Sequence, residues 1–210
     1  MHLDSKVIAI TGGSQGLGRA LAKACCREGA RVAIIGRNAD KLEAVREEIG
    51  ERIVCFPCDI GDSTEVNNTF KEIGAQMGGL DALVNNAGIY PIFKLETASD
   101  EQLRSVINTN VLGAMYACRE AIPLLKKSKG DIINVSSEAV RFYPPLLSVY
   151  TASKSALEAF SQSLRVELAP SGVRVAALRV GHLLREDPSP LDDATYELMI
   201  KAFEETGFMA

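Results

Sequence analysis

The sequence is short of the features that mark membrane proteins and nucleic-acid-binding proteins. No apolar run approaches the roughly 18 residues needed to cross a bilayer, and the first ten residues do not have the layout of a signal peptide. Basic residues number 23 against 27 acidic ones, so the net charge of -4 gives no general attraction for a phosphate backbone. We therefore expect a soluble, cytoplasmic protein with no membrane or nucleic-acid partner.

The histidines are too few for a metal site, and the cysteines do not form the pattern of a disulfide framework. The histidines, His2 and His182, do not supply metal ligands at the usual spacing, so no metal site is predicted. The 5 cysteines, Cys25, Cys26, Cys55, Cys58 and Cys118, are an odd number scattered along the chain, which argues against a disulfide framework. Cys55 and Cys58 form a CxxC pair, but the pair follows an apolar run instead of opening a helix. We interpret it as two buried thiols at a strand end.

Short apolar runs alternate along the chain with longer amphipathic stretches. The runs are almost continuously apolar, as are strands buried on both faces of a sheet. The alternation predicts one α/β domain over residues 1–210, a doubly wound parallel sheet in three α/β/α layers. The predicted strands cover residues 6–11, 31–36, 52–56, 82–86, 131–136 and 173–178. The predicted helices over 16–28, 39–49 and 63–77 each end at a glycine.

The segment TGGSQGLG, after the first strand, contains a glycine trio. Glycines let the backbone turn tightly and approach a pyrophosphate, while the free amides and the dipole of the following helix favour an anion. No Gly-Lys-Ser/Thr follows, so the segment is not an NTPase loop. It predicts dinucleotide binding by Gly12, Ser14, Gln15, Gly16, Leu17 and Gly18.

The end of the second strand indicates which dinucleotide is bound. An Asp or Glu there would bind the adenosine ribose 2′-hydroxyl, but this chain has Gly36 followed by Arg37. The missing side chain leaves room for a 2′-phosphate, and the guanidinium can pair with it. NADP(H) is therefore the preferred cofactor, with NAD(H) also possible. The alternative is that Arg37 is an ordinary solvated surface residue.

Five motifs in a fixed order carry a resemblance to a known family. They are TGGSQGLG, NNAG at 85–88, NTN ending at Asn110, INVSS ending at Ser137, and YTASK from Tyr150 to Lys154. In this order the chain resembles the short-chain dehydrogenase/reductase family from residue 6 to about residue 181. The resemblance implies a Rossmann-type fold and hydride transfer between a nicotinamide cofactor and a carbonyl or alcohol substrate.

Tyr150 and Lys154 lie four residues apart, so on a helix both project from one face. A free tyrosine has a pKa of about 10, and the nearby ammonium and the positive oxidised nicotinamide are expected to lower the pKa of Tyr150. Tyr150 would donate a proton to a carbonyl oxygen in reduction, or take one from an alcohol in oxidation. Ser137 would hydrogen-bond the same oxygen. Ser136, on the opposite strand face, is interpreted as structural.

The resemblance implies further roles around this pair. Lys154 would also bind the nicotinamide ribose, and Asn110 would order a water that passes protons to Lys154. Asp59 would contact the adenine. The other cofactor contacts expected by position are Ile60, Asn86, Ala87, Gly88, Val180 and Gly181.

The C-terminal part departs from the family pattern. Val180 stands where the family usually has proline, and Arg185 occupies the region of a threonine that contacts the nicotinamide amide, so cofactor orientation is less determined there. No seventh apolar run follows, and the sheet is expected to lack the last strand of the family. Either a longer protein has been shortened, or a partner covers the exposed edge. We expect a homodimer or homotetramer.

Residues 193–206 predict one amphipathic helix, and residues 182–210 are expected to cover the substrate. With 89–93 and 138–147 they would bound a pocket for an apolar or ring-bearing ketone or secondary alcohol. Tyr143 has no basic residue at helical spacing and is interpreted as pocket wall. Two alternatives stay open: a non-catalytic NADP(H)-binding regulatory module, and a sugar-nucleotide epimerase or dehydratase, for whose substrate domain 210 residues leave no room. The predicted pocket residues are Tyr90, Phe93, Phe142, Tyr143, Leu146 and Leu183.

Overall fold

The fold is built on one parallel sheet. The computed structural model describes residues 3–181 and 193–206. The strands are β1 (Val7–Thr11), β2 (Arg31–Gly36), β3 (Ile53–Pro57), β4 (Ala82–Asn85), β5 (Asp131–Ser137) and β6 (Arg174–Val180). They lie in the order β3-β2-β1-β4-β5-β6, and every neighbouring pair is parallel. The predicted doubly wound α/β sheet is therefore confirmed.

Helices connect the strands and begin close to where the sequence predicts them. Asn38 and Asp62 cap the second and third helices by accepting hydrogen bonds from backbone N–H groups of the first turn. A π-helical turn, Asn108–Leu112, separates the fourth helix from the fifth. The helices are α1 (Gly16–Arg27), α2 (Ala39–Ile49), α3 (Ser63–Met77), α4 (Asp100–Ile107), α5 (Gly113–Ser128), α6 (Ala139–Phe142), α7 (Ser148–Leu168) and α8 (Asp193–Thr206). The bounds of α8 match the prediction for residues 193–206.

The core lies in two layers, one on each face of the sheet. Alternate residues of β1 point to opposite faces, so Val7 and Ala9 pack with α3, α5 and α7, whereas Ile8 and Ile10 pack with α1 and α2. Cys58 is buried directly after β3, and the Cys55 thiol donates to the Leu42 carbonyl at 3.3 Å. This agrees with the interpretation of the CxxC pair as structural.

Two segments differ from the prediction. Residues 138–147, predicted to bound the pocket and given no helix, contain the single turn of α6, which is too short to leave a periodic pattern. Strand β6 runs to Val180, beyond the predicted end at 178, because pairing with β5 continues through Arg179↔Ser136 and Val180↔Ser137. Val180 therefore lies within the strand and not after it.

Strand β6 forms one edge of the sheet. No strand pairs with its outer side in the described part of the chain, in agreement with the expected loss of the family's last strand. Leu178 is half exposed on this strand. Within residues 3–181 and 193–206, no helix combines the length and the apolar character that a bilayer crossing would require.

The connections place one crevice at the carboxyl ends of the central strands. β1 pairs with β2 on one side and with β4 on the other, so the chain leaves β1 and β4 in opposite directions across the sheet. The register Ile10↔Val84 sets the ends of these two strands side by side. Ligands of doubly wound sheets bind at such a switch point.

Candidate active site

The loop after β1 has the shape that an anionic ligand needs. A Cβ on Gly12, whose φ is +68°, would lie 2.9 Å from the Ala87 Cα, and a Cβ on Gly18 would collide with the Gly12 carbonyl. Helix α1 starts with no side-chain hydrogen bond from its N-cap, Gln15, and with no acidic residue in its first turn. Its first amides and the positive end of its dipole therefore suit a pyrophosphate. The residues present fit a dinucleotide.

A side-chain bridge joins this loop to the loop after β4. The Thr11 hydroxyl accepts from the N–H groups of Asn86 and Ala87, both at 3.0 Å. The Asn86 amide donates to the carbonyls of Thr11 at 3.0 Å and Gly12 at 3.2 Å. The side chain of Asn86 thus holds the two loops together. Sequence analysis missed Thr11, a hydroxyl residue that ends an otherwise apolar strand.

Gly36 and Arg37 lie where strand β2 ends beside the glycine loop. A Cβ at Gly36 would stand 3.7 Å from the Ser14 hydroxyl oxygen and 3.6 Å from Leu42. Arg37 is exposed, and within residues 3–181 and 193–206 no hydrogen bond or ion pair engages its guanidinium. The charge is therefore available to a ligand bound over the loop.

The loop after β3 is internally bonded. The Asp59 carboxylate accepts from the Gly61 N–H at 2.9 Å, and the Asp59 N–H donates to Glu65 at 2.7 Å. Ile60 is buried against Gly113, so only its backbone could face a cofactor. Asp59 keeps a second carboxylate oxygen for a ligand.

Val180 and Gly181 lie beside the end of β5. The Glu138 N–H donates to the Val180 carbonyl at 3.0 Å, and Gly181 follows without a side chain. This places both residues next to Ser137. Arg185 and Leu183 lie outside the described residues, as does most of the segment 182–210.

Helix α7 brings Tyr150 and Lys154 to one face, as predicted. The Lys154 Nζ lies 5.9 Å from the centroid of the Tyr150 ring and donates to the Val135 carbonyl at 2.8 Å. Lys154 is buried, and burial lowers its pKa to about 8. Ser137 ends β5, and its hydroxyl accepts from the Ala139 N–H at 3.1 Å.

In the protein chain alone, burial raises the pKa of Tyr150. A hydrogen bond with Ser137 opposes that rise, and the ionised form of Tyr90 adds to it. The predicted lowering includes the charge of the oxidised nicotinamide, so for the protein with its cofactor it stays a prediction.

Asn110 connects the loop after β4 to helix α7. Its side-chain oxygen accepts from the Ile89 N–H at 2.8 Å, and its nitrogen donates to the Ile89 carbonyl at 2.9 Å and to the Ser153 hydroxyl at 3.0 Å. The Ser153 hydroxyl in turn donates to the Tyr150 carbonyl at 2.6 Å. A Cβ on Gly88 would lie 3.3 Å from both Asn110 Oδ1 and Lys154 Nζ, so these residues converge.

Aromatic residues follow on the substrate side. The rings of Tyr90 and Tyr150 meet edge to face, with centroids 6.1 Å apart and an interplanar angle of 65°. The Phe93 N–H donates to the Leu146 carbonyl at 3.3 Å. Phe142 and Tyr143 are 62% and 70% exposed, so within the described residues they lie at the rim of the predicted pocket and not in its wall. An open pocket of about 340 Å³ is lined by Phe93, Lys94, Leu95, Glu96, Leu146 and Ser148.

A charged network behind Ser137 was not predicted. The Ser136 hydroxyl donates to Glu158 at 2.8 Å, and Arg179 makes a two-pronged pair with the same carboxylate, both bonds at 2.7 Å. Arg179 keeps the pKa of Glu158 below its usual value. The network ties α7 to β5 and β6, which confirms the structural interpretation of Ser136. Glu158 lies two helical turns after Tyr150, and that spacing was the available signal.

Comparison with known proteins gives one family. A family model described as short chain dehydrogenase matches residues 6–186. The 3-oxoacyl-[acyl-carrier-protein] reductase of Bos taurus is 37% identical over 179 residues, covering 85% of this chain and 76% of that protein. Carbonyl reductase family member 4 of Xenopus laevis is 34% identical over 197 residues, covering 93% of this chain and 83% of that protein. A crystal structure of 3-ketoacyl-(acyl-carrier-protein) reductase from Brucella melitensis complexed with NADH matches with a TM-score of 0.82 and 32% identity, covering 85% of this chain and 76% of that one.

Proposed function

Because this chain belongs to the short-chain dehydrogenase family and is an oxidoreductase with a nicotinamide cofactor, we propose that it interconverts a ketone and a secondary alcohol using NADP(H), with Tyr150 as general acid and base. The observation that carries the proposal is the convergence of Tyr150, Lys154 and Ser137 at the carboxyl ends of the strands. These groups meet beside the loop that fits a dinucleotide.

The chain's own residues handle the proton, while the bound nicotinamide gives or takes the hydride. In reduction the Tyr150 hydroxyl donates to the carbonyl oxygen as negative charge develops there. Its raised pKa keeps the proton in place across the neutral range, which suits the acid role. Oxidation needs the phenolate, so it should require more alkaline solution than reduction.

Ser137 and Lys154 support this step in different ways. The Ser137 oxygen accepts from the Ala139 N–H, which leaves its own proton to donate to the substrate oxygen. Lys154 lies next to Gly88 and Tyr150, where its ammonium can bind the ribose and favour the phenolate. Asn110 remains the proposed holder of the water that passes protons to Lys154.

The preference for NADP(H) rests on the end of β2. Gly36 presents no carboxylate to the adenosine ribose, and the exposed Arg37 has no partner among the described residues. A 2′-phosphate there would gain a charge-assisted pair, whereas a 2′-hydroxyl would not. Asp59, Gly181 and the backbone of Asn86 to Gly88 complete the proposed cofactor contacts.

The substrate proposed is a carbonyl compound with an apolar or ring-bearing body. Tyr90, Phe93 and Leu146 supply apolar surface near Tyr150. Two of the relatives are named for reducing 3-oxoacyl groups on a carrier protein and one is named as a carbonyl reductase, so a 3-oxoacyl thioester deserves testing beside simple ketones.

The deciding experiment follows NADPH oxidation with a panel of aliphatic, cyclic and aromatic ketones and one 3-oxoacyl thioester. The wild type should turn over at least one of them, and Tyr150→Phe should lose about a hundredfold or more in kcat. Tyr116→Phe removes a hydroxyl from helix α5, remote from Tyr150 in sequence and outside the site, and should keep wild-type activity. Tight NADPH binding with no turnover by the wild type would instead identify a non-catalytic regulatory module.

A further inference from the structure

Tyr90 and Tyr150 belong to different parts of the chain, yet their rings are in contact. Tyr90 lies in the loop after β4, and Tyr150 lies in the first turns of α7. The edge-to-face arrangement, with centroids 6.1 Å apart, is one of the two geometries that aromatic pairs favour. Tyr90 is proposed above only as a pocket residue, and the proton chemistry assigns it no role.

The contact is fixed by backbone bonds on both sides. Asn110 holds the backbone of Ile89, the residue before Tyr90, through a donor and an acceptor. The same amide donates to Ser153, whose hydroxyl bonds the Tyr150 carbonyl. One buried amide therefore sets the positions of both tyrosine backbones.

The far end of the Tyr90 loop is also held. The Phe93 N–H donates to the carbonyl of Leu146, just before α7 begins. Pro91 restricts the backbone between these two attachment points. Tyr90 thus presents its ring to Tyr150 from a short segment that is attached at each end.

We propose that Tyr90 is a positioning residue for the reaction: its ring fixes the orientation of the Tyr150 phenol and shields it from water on one side. This inference rests on the proposed function of Tyr150 as general acid and base. The shielding keeps the phenol protonated and therefore ready to donate. The orientation holds the hydroxyl toward Ser137, with which it bonds.

The inference predicts an order among variants. Tyr90→Ala removes both the shielding ring and the phenol, so water reaches Tyr150 and its pKa falls. Tyr90→Phe keeps the ring and removes the hydroxyl, whose ionised form helps to raise the pKa of Tyr150. The pKa of Tyr150 should therefore decrease from wild type to Tyr90→Phe to Tyr90→Ala.

Activity should change in parallel. If the energy of an aromatic pair contact is lost in the transition state, the rate falls about threefold to tenfold. The kcat for reduction should therefore fall by up to about tenfold in Tyr90→Ala and by less than about threefold in Tyr90→Phe. The loss should be similar for a small and a large ketone. The alkaline limb of the kcat profile should also move to lower pH in Tyr90→Ala, because the proton of Tyr150 is lost earlier.

Two measurements test this. Ultraviolet titration of tyrosinate, taken as the difference between each protein and its Tyr150→Phe counterpart, isolates Tyr150 without substrate. NADPH-dependent reduction of the two ketones gives kcat and KM as functions of pH. Val166→Ala, an exposed truncation near the other end of α7, serves as the control that should change neither result. Thermal unfolding confirms that each variant is folded.

The outcomes separate this inference from the function on which it rests. If the wild type reduces no ketone, the proposed function fails, but the titration still decides whether Tyr90 acts on Tyr150. An unchanged Tyr150 pKa in both Tyr90 variants overturns the inference even when the wild type is active. An increase in KM that grows with ketone size, with kcat unchanged, also overturns the inference, because Tyr90 would then only line the substrate pocket.

Discussion

Asn110 binds the backbone of Ile89 through both halves of its amide, accepting from the N–H at 2.8 Å and donating to the carbonyl at 2.9 Å. Asn110 is almost completely buried, so these bonds satisfy polar atoms that bulk water does not reach. The pairing resembles that of two strands, but one partner is a side chain from a π-helical turn. Such turns occur often at functional sites.

Replacement of Asn110 should therefore damage both stability and catalysis. Asn110→Ala leaves the partly buried N–H and carbonyl of Ile89 without their partner, at a total cost of about 1 to 3 kcal/mol, and it releases the Tyr90 loop. We expect a lower unfolding temperature and a lower kcat. Asn108→Ala, an exposed amide in the same turn, should change neither. Equal effects of the two substitutions in calorimetry and in the NADPH assay would contradict the structural role of Asn110.

Arg37→Ala should lower the affinity for NADPH much more than the affinity for NADH. A charge-assisted bond to a 2′-phosphate is worth about 1.5 to 3 kcal/mol, so NADPH affinity should fall about tenfold to a hundredfold. NADH affinity should stay within about twofold, because its ribose carries no phosphate there. Titration calorimetry with both nucleotides measures this. Arg27→Ala, at the opposite end of α1, is the matched control, and equal losses for NADPH and NADH would refute the preference for NADP(H).

The stability of the protein should depend on the charge of Lys154. Its pKa is lowered from 10.5 to about 8 in the folded chain, so between these values the unfolded chain binds more protons and stability rises with pH. Relative to Lys154→Met, the wild type should gain about 1 kcal/mol in unfolding free energy from about pH 7 to about pH 9. Urea unfolding of both proteins at each pH gives the difference. A difference that does not vary with pH would show that the ammonium is not desolvated.

The Glu158 network should contribute more to the free energy of unfolding than the surface ion pair at the other end of β5 and β6. Glu158→Ala leaves the buried Ser136 hydroxyl and Arg179 without their shared partner, and it should lower unfolding free energy by about 1 to 2 kcal/mol. Asp131→Ala breaks an ion pair with Arg174, which is 79% exposed, and should cost less than about 1 kcal/mol. Denaturant unfolding compares them. A larger loss in Asp131→Ala would mean that Glu158 does not join the three elements as described.

The sequence predicts the sheet well because inner strands such as β1 and β2 are buried on both faces. The runs ending at Thr11 and Gly36 are continuously apolar and are followed by glycine or polar residues, and these signals are local. Strand β6 was predicted too short because its last pairs with β5 include Arg179, whose polarity hides the strand. Only the partner strand reveals that continuation.

The candidate site was predicted where motifs are local and missed where contacts are distant. Tyr150 and Lys154 share a helix face by spacing alone. The bonds of Asn110 to Ile89, and of Thr11 to Asn86, join residues far apart in the chain and leave no periodic trace. The desolvation that raises the pKa of Tyr150 in the chain alone was missed for the same reason, since burial is a property of the folded chain and not of the motif.

Gly88 gives the site an unusual sensitivity. The space beside its Cα is shared by the Asn110 amide and the Lys154 ammonium, which a single added methyl group would approach to 3.3 Å. The loop after β4, the π-helical turn and helix α7 therefore meet at a residue that has no side chain. A substitution at this position would change no functional group, yet its new Cβ would press on Lys154 and on the support of the Tyr90 loop at once. The lack of a side chain at Gly88 is therefore as much a part of the proposed site as the groups around it.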